Sequence, residues 1–375
     1  MELSMLDYHD TLNESTLNFW DIMSCNGTLY WQGDDSCACP KHVDQQAFVL
    51  CISIIYFLVF AGGVLGNLAV IGFNVFGRKG HHDTHLYIVN LAIADLFVSL
   101  TLPAQALSLL RHNEWWLGSF MCKATHSIFS INVFSSVFFL VCMSVDRYFS
   151  LVRGFHAQRS SHVGLIACGI SWIVAVLASL PEIIYLQVDV SSSYLNTTIC
   201  HLAFTLESHN KWNAAIELIY NILGFILPFP VMVMCYIPLA RAMNMSGVAQ
   251  KSTGRRIVLA YLVVFVACWM PFHMAVFISA LFHLQVLSYS CFLDEALYVA
   301  TLATQGLALL HCCINPMLYS FINKKHRQDF IRPIAVTFKK RSVHRGMLPG
   351  PETSRDSVTD QTTLELTKIA FLGTV

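Results

Sequence analysis

Residues 47–76 read AFVLCISIIYFLVFAGGVLGNLAVIGFNVF, without one Asp, Glu, Lys, Arg or Pro. A helix needs about 20 apolar residues to cross the hydrocarbon core of a bilayer, and this run is longer. A helix apolar on every side has no place in water, so the stretch reads as a membrane span. Residues 1–46 ahead of it are polar, with no apolar core close behind Met1. No cleaved signal peptide is therefore expected, and the run is taken as the first span.

Six further runs of this kind lie near 84–110, 118–152, 163–187, 211–245, 254–284 and 294–322. The loops between them are too short to fold as separate domains. Main-chain polar groups in lipid must be satisfied within the protein, which selects helices, and the alternation of a transmembrane barrel is absent. Composition agrees: 55% of residues are hydrophobic and only 12% charged, against roughly 25% charged in an average soluble domain. The fold expected is an all-α membrane protein, a seven-transmembrane helix bundle. Formal net charge is zero, so no global basic field points to nucleic acid.

Lys and Arg set the orientation, because short cytoplasmic loops carry their excess. Arg78, Lys79, Arg153, Arg159, Lys251, Arg255 and Arg256 fall in alternate loops, and Lys324, Lys325, Arg327, Lys339, Lys340, Arg341 and Arg345 in the tail. Residues 1–46 hold eight acids and one base, Lys41, a formal charge of −7. The N-terminus is therefore expected outside and the C-terminus inside. Asn13, Asn26 and Asn196 head glycosylation tripeptides on the outer side, while the tripeptide at Asn244 falls on the inner side and is discounted. The expected organisation is an extracellular, acidic, glycosylated segment 1–46, the bundle 47–323, an amphipathic cytoplasmic helix 324–337 and a disordered tail 338–375.

Thirteen cysteines are present. Cys51, Cys142, Cys168, Cys235, Cys268, Cys312 and Cys313 lie within or near spans and read as packing residues. Cys25, Cys37, Cys39, Cys122, Cys200 and Cys291 fall outside, where disulfides form; six cysteines allow fifteen connectivities. Neither Cys37-Ala-Cys39 nor His311-Cys312-Cys313 matches a common zinc spacing. No metal, no cofactor and no catalytic constellation is expected, so the chain is not read as an enzyme.

Polar side chains inside spans are costly and mark function or helix glue. Asp95, Asn67, Asn132, Ser136 and Asn315 are placed to form one cluster. Pro103, Pro181, Pro228, Pro271 and Pro316 each remove a helix hydrogen bond and permit a kink. Kinked helices around a polar core also suit a transporter, but internal repeats and charged pairs at the midplane are missing.

The motifs decide. Asp146-Arg147-Tyr148 ends the third run, Cys268-Trp269-Met270-Pro271 lies in the sixth, and Asn315-Pro316-Met317-Leu318-Tyr319 ends the seventh. Gly66-Asn67, Asp95, Trp172, Pro228 and Tyr236 complete the set in order. Over residues of about 45 to 335 the chain resembles the rhodopsin-like G-protein-coupled receptors. The resemblance implies roles. Asp146 holds Arg147 in the inactive state, with Tyr148 beside it. Trp269 lies beneath the ligand pocket, and Pro271 kinks its helix. Asn315 and Pro316 form the inner hinge. Tyr236 and Tyr319 approach one another on activation, and Asp95 is the sodium and activation hub. His311 and Cys312 stand where the family more usually carries Asn and Ser, which argues against tight sodium binding. A retinal protein is excluded, because 294–322 contains no lysine.

A second layer resembles the chemokine receptors: Thr101-Leu102-Pro103, Trp115-Trp-Leu-Gly118-Ser-Phe-Met-Cys122 and His311-Cys312-Cys313-Ile-Asn315-Pro316. That resemblance implies disulfides Cys122–Cys200 and Cys39–Cys291, with Cys25 and Cys37 remaining for each other. It implies a basic chemokine as ligand, probed by Glu182 and Glu217 near the outer ends of the fourth and fifth spans. An acidic N-terminal arm steers such a ligand electrostatically. Tyr8, between Asp7 and Asp10, sits in a setting suited to sulfation.

Within that branch, Asp83 to Asp95, His126 to Asn132, Cys142 to Tyr148 and Asn315 to Asn323 are similar to the atypical, scavenging chemokine receptors. Gln305 agrees with them, where most chemokine receptors carry Glu. Gln105 and Ser279 depart, standing for Trp and Asp in the outer pocket. An orphan heptahelical scavenger shares Gly224 to Pro230 and is an alternative relative. The resemblance implies arrestin recruitment, internalisation and cycling through endosomes; coupling to a G protein as a conventional receptor is the alternative. Ser150 replaces a small apolar residue that G proteins touch. Receptor kinases are expected to act on the tail, at Ser354, Ser357, Thr359, Thr362 and Thr363, and arrestin to read the resulting anionic strip. No cysteine follows Cys313, so the inner helix has no palmitoyl anchor; it is expected to meet membrane lipids through Phe330, Ile331 and its basic residues.

Overall fold

The computed structural model describes residues 43–76, 83–151, 161–190, 197–205, 208–244, 249–288 and 290–322. The expectations for Tyr8, Asn13, Cys25, Asn26, Cys37, Cys39, Asn196, the 324–337 helix, Ser354, Ser357, Thr359, Thr362 and Thr363 lie outside them.

Nine α-helices are described: α1 Gln45–Phe76, α2 Asp83–Leu110, α3 Gly118–Leu151, α4 Ser161–Tyr185, α5 His209–Asn221, α6 Pro228–Asn244, α7 Ala249–His283, α8 Cys291–Leu309 and α9 His311–Ile322. They build seven spans long and apolar enough to cross a membrane, the fifth from α5 and α6 and the seventh from α8 and α9. Between α4 and α5 lies a hairpin, β1 Leu186–Val190 antiparallel to β2 Thr198–Leu202, with Val188 opposite Cys200. The hairpin lies on the face of the bundle that the charge distribution assigns to the outside.

The seventh span starts at Cys291 rather than near 294. Ser290 is extended at φ −149°, and its Oγ accepts a hydrogen bond from the Leu293 N–H at 3.1 Å. That cap satisfies one orphan donor of the first turn, and Asp294 in the same turn meets the positive end of the helix dipole. Such a start is set by capping, not by hydropathy.

The third span is the axis of the bundle. Of its most apolar window 67% is buried, against 28% for the first, fourth and fifth. Aromatic contacts tie its neighbours to it: Phe134 lies 5.2 Å from Tyr220 and Phe139 lies 5.5 Å from Trp172, centroid to centroid. The Trp172 indole N–H also donates to Asn90 Oδ1 at 2.9 Å, joining spans two and four. Lipid tails are as apolar as the helices, so such close packing and interhelical hydrogen bonds hold the bundle rather than hydrophobic exclusion from water.

The prolines leave distinct traces. Pro228 has no N–H to offer the Gly224 carbonyl. The chain widens over Ile222–Ile226 into one π turn, with the Leu227 N–H on the Ile222 carbonyl at 3.0 Å. The seventh span breaks at Leu310, between α8 and α9. Within α9, Pro316 leaves the Cys312 carbonyl without its helical donor, and Asn67 Nδ2 of α1 donates to it at 2.9 Å. Helix α1 comes this close because of Gly66, where a Cβ would stand 2.9 Å from Pro316 Cβ.

Candidate ligand pocket and polar core

The outer end of the bundle is closed by the hairpin. A Cys122–Cys200 disulfide joins the top of α3 to β2, as the resemblance implied. Cys291 is also disulfide-bonded, and the expected partner Cys39 lies outside the described residues. Trp115 locks the hairpin from the first outer loop. Its N–H donates to the Thr198 carbonyl at 2.7 Å, and its carbonyl accepts from Thr198 Oγ1 at 2.5 Å. Its indole donates to the Gly118 carbonyl at 3.0 Å. Gly118 has φ +74°, in the region that glycine enters without a Cβ penalty.

Beneath this cap the two predicted carboxylates meet the same face of α5. Glu182 Oε2 on α4 accepts a hydrogen bond from the Tyr220 hydroxyl at 2.8 Å. Glu217 Oε1 accepts from Ser279 Oγ of α7 at 2.6 Å. Tyr220 follows Glu217 by three residues, so both contacts fall on one helical stripe. His283 Nε2 lies 3.7 Å from Glu217 Oε1. The other oxygen, Glu217 Oε2, is buried with no hydrogen-bond partner among the described residues. No Lys or Arg there pairs with either carboxylate. Gln105 donates to Thr101 Oγ1 at 3.3 Å and is half-buried, as is Gln305 on α8. Trp269 is buried, with its ring centroid 5.9 Å from Phe272 and 5.0 Å from His311.

Asp95 lies fully buried at the bundle's centre. Its Oδ1 accepts from Asn132 Nδ2 at 3.1 Å and from Ser136 Oγ at 3.5 Å. Its Oδ2 accepts from Asn315 Nδ2 at 2.9 Å. His311 Nε2 stands 3.1 Å from Oδ1, and His311 Nδ1 stands 2.6 Å from the Ala308 carbonyl. Asn67 does not join this shell; it donates to the Gly63 and Cys312 carbonyls, each at 2.9 Å. The sequence places Asn132, Ser136 and Asn315 with Asp95, and His311 at the family's sodium position, but does not show His311 as a direct partner of the Asp95 carboxylate. The available signal was spacing, since His311 and Asn315 are four residues apart and share a helical face. Tyr220, three residues after Glu217, was missed for the same reason.

At the inner end, Arg147 Nε is buried without a hydrogen-bond partner among the described residues. The Tyr148 ring packs edge-on against Phe149 at 5.4 Å. The Tyr319 hydroxyl donates to Asn74 Oδ1 of α1 at 3.1 Å, whereas Tyr236 is half-buried on α6. The Tyr261 hydroxyl donates to the Asn315 carbonyl at 3.4 Å, tying α7 to the Asn315-Pro316 hinge.

Residues 66–319 match the family described as 7 transmembrane receptor (rhodopsin family). Atypical chemokine receptor 3 of Mus musculus is 38% identical over 367 residues, which is 97% of this chain and 99% of that protein. The Homo sapiens protein of the same name matches at the same identity and coverage. G-protein coupled receptor 182 of Homo sapiens is 32% identical over 82% of this chain and 76% of its own length. C-X-C chemokine receptor type 3 of Rattus norvegicus is 30% identical over 90% of each chain. With seven spans, a hairpin tied to α3 by a disulfide, a buried Asp95 core and these relatives at nearly full length, the chain belongs to the rhodopsin family of seven-transmembrane receptors, in its non-enzymatic chemokine-receptor branch.

Proposed function

We propose that this chain is a plasma-membrane receptor for a basic chemokine, of the CXC type, and that it scavenges that ligand. The observation that carries the ligand class is Glu217. Its Oε2 is a buried acceptor without a partner among the described residues, and an uncompensated buried carboxylate oxygen is costly. A ligand ammonium or guanidinium entering from the outer face satisfies it, and Glu182, which accepts from Tyr220 one turn along α5 from Glu217, supplies a second acceptor. The N-terminal segment, at a formal −7 over residues 1–46, steers the basic body of the ligand toward the pocket. Tyr8 adds to that charge when sulfated, glycans on Asn13 and Asn26 keep the arm solvated, and Asn196 carries a further glycan on the second outer loop.

The downstream reading rests on the tail and on relatives whose name describes atypical chemokine receptors. Kinases phosphorylate Ser354, Ser357, Thr359, Thr362 and Thr363, arrestin docks on the anionic strip, and the complex is internalised and cycles through endosomes. Ser150 places a hydroxyl on the surface that a G protein buries, where a small apolar residue is more usual in conventional chemokine receptors.

The test uses cells expressing the full chain and a panel of labelled chemokines. Arrestin recruitment and uptake without a G-protein signal are expected. A robust G-protein response makes it a conventional signalling receptor. No response to any chemokine removes the ligand class.

A further inference from the structure

Resemblance to rhodopsin-like receptors implies a sodium ion beside Asp95. The residues around Asp95 do not fit one. A hard cation takes oxygen ligands, but Asp95 is ringed by hydrogen-bond donors. Asn132, Ser136 and Asn315 all donate to it, at 3.1, 3.5 and 2.9 Å. Sulfur faces the cluster from Cys312, whose Sγ lies 3.6 Å from His311 Nε2. Besides the Asp95 carboxylate, two side-chain oxygens face the site: Ser136 Oγ, which already accepts from Asn132 Nδ2 at 3.2 Å, and Asn132 Oδ1, buried without a hydrogen-bond partner among the described residues; two such oxygens are a poor replacement for a hydration shell.

The decisive group is His311. Its Nδ1 lies 2.6 Å from the Ala308 carbonyl. A carbonyl only accepts, so Nδ1 carries hydrogen. Its Nε2 then faces Asp95 Oδ1 at 3.1 Å. A bare nitrogen lone pair and a carboxylate oxygen repel at that distance, so one further proton lies between them. Whichever atom holds it, the pair is electrically neutral. Among the described residues His311 is the sole basic group paired with Asp95, so no net negative charge is left to attract a cation.

We propose that the hydrogen held between Asp95 and His311 takes the place of the family's sodium ion, making the core of this receptor indifferent to sodium. The counter-ion is thereby built into the seventh span. It lies against Trp269, whose ring is 5.0 Å from the imidazole. Displacement of Trp269 by a ligand then reaches Asp95 through one side chain rather than through a diffusible ion. This inference does not depend on which ligand the receptor binds.

The experiment measures thermal unfolding of the purified full-length receptor, without ligand, in sodium, potassium and choline chloride at equal ionic strength. The wild type is expected to unfold within about 1 °C in all three. His311→Asn removes the shared proton that neutralises the pair and places an amide oxygen beside Asp95. It is expected to gain a saturable, sodium-specific rise of about 3 °C, as ligand linkage requires. A sodium-specific rise in the wild type overturns the proposal, and that arm decides even if the variant is not recovered folded. A His311→Asn receptor that folds but stays indifferent to sodium overturns it as well. His311→Ser repeats the variant arm with a different oxygen ligand.

Discussion

Asn67 and Pro316 are coupled through a carbonyl that belongs to neither. Pro316 cannot donate to the Cys312 carbonyl four residues before it, and Asn67 Nδ2 crosses from α1 to do so at 2.9 Å. The carbonyl that Pro316 frees in the seventh span is thus satisfied by the first. Spans one and seven are held together at the depth where the chain must bend.

Replacing Asn67 by Ala leaves that carbonyl buried and unpaired. Interhelical hydrogen bonds in membranes are worth about 1 kcal/mol, so the expected loss is about 2–4 °C in the unfolding temperature of the purified receptor. Asn67→Asp, which supplies no amide donor, is expected to do no better than Ala. Wild-type stability in both variants would show that the carbonyl finds another donor.

Much of the fold was legible because a bilayer imposes length and hydropathy directly on the sequence. All seven runs survive as spans, and Asp95, Asn132, Ser136 and Asn315 meet where their depths placed them. What hydropathy could not show was backbone register. The π turn at Ile222–Ile226 depends on how the chain relieves Pro228, by kinking or by widening, and the residues permit either. His311 was legible as a departure from the family pattern, but not as the partner of Asp95. That contact joins residues 216 positions apart on different helices. Ser279 read as a lost acid; the structure turns it into the hydroxyl that holds Glu217.

Gly118 tests the outer cap. At φ +74° a Cβ costs roughly 1–2 kcal/mol, and the Gly118 carbonyl is the acceptor for the Trp115 indole. Gly118→Val is expected to lower the unfolding temperature by about 2–6 °C. It is also expected to weaken ligand binding, since Trp115 anchors β2 through Thr198. Unchanged binding with lowered stability would confine the role of this loop to folding.

The tail tests the scavenging reading. Changing Ser354, Ser357, Thr359, Thr362 and Thr363 together to Ala removes the sites for a phosphate strip and leaves the bundle untouched. Arrestin recruitment is expected to fall by about tenfold or more, as each lost phosphate removes charge-assisted hydrogen bonds. Ligand affinity at the surface is expected to stay within about twofold. Full recruitment by this variant would move the arrestin contact to the bundle's inner face.

Glu217 and Ser279 test the ligand class together. In Glu217→Gln the shape is kept and the charge removed. Affinity for a basic chemokine is expected to fall by about tenfold or more, because desolvated charge pairs at an interface carry about 1.5 kcal/mol or more of coupling. Stability without ligand is expected to hold or rise, since a buried carboxylate oxygen without a partner is itself unfavourable. Ser279→Asp makes the opposite change: a second carboxylate replaces the hydroxyl that donates to Glu217 at 2.6 Å. Two like charges at that separation repel, so the empty receptor should unfold at lower temperature. A basic ligand lying between the two carboxylates relieves the repulsion, so its stabilising effect should exceed that in the wild type. Binding assays and thermal unfolding with and without ligand read both effects. If Glu217→Gln binds as tightly as wild type while Ser279→Asp gains nothing from ligand, the basic group docks elsewhere in the pocket.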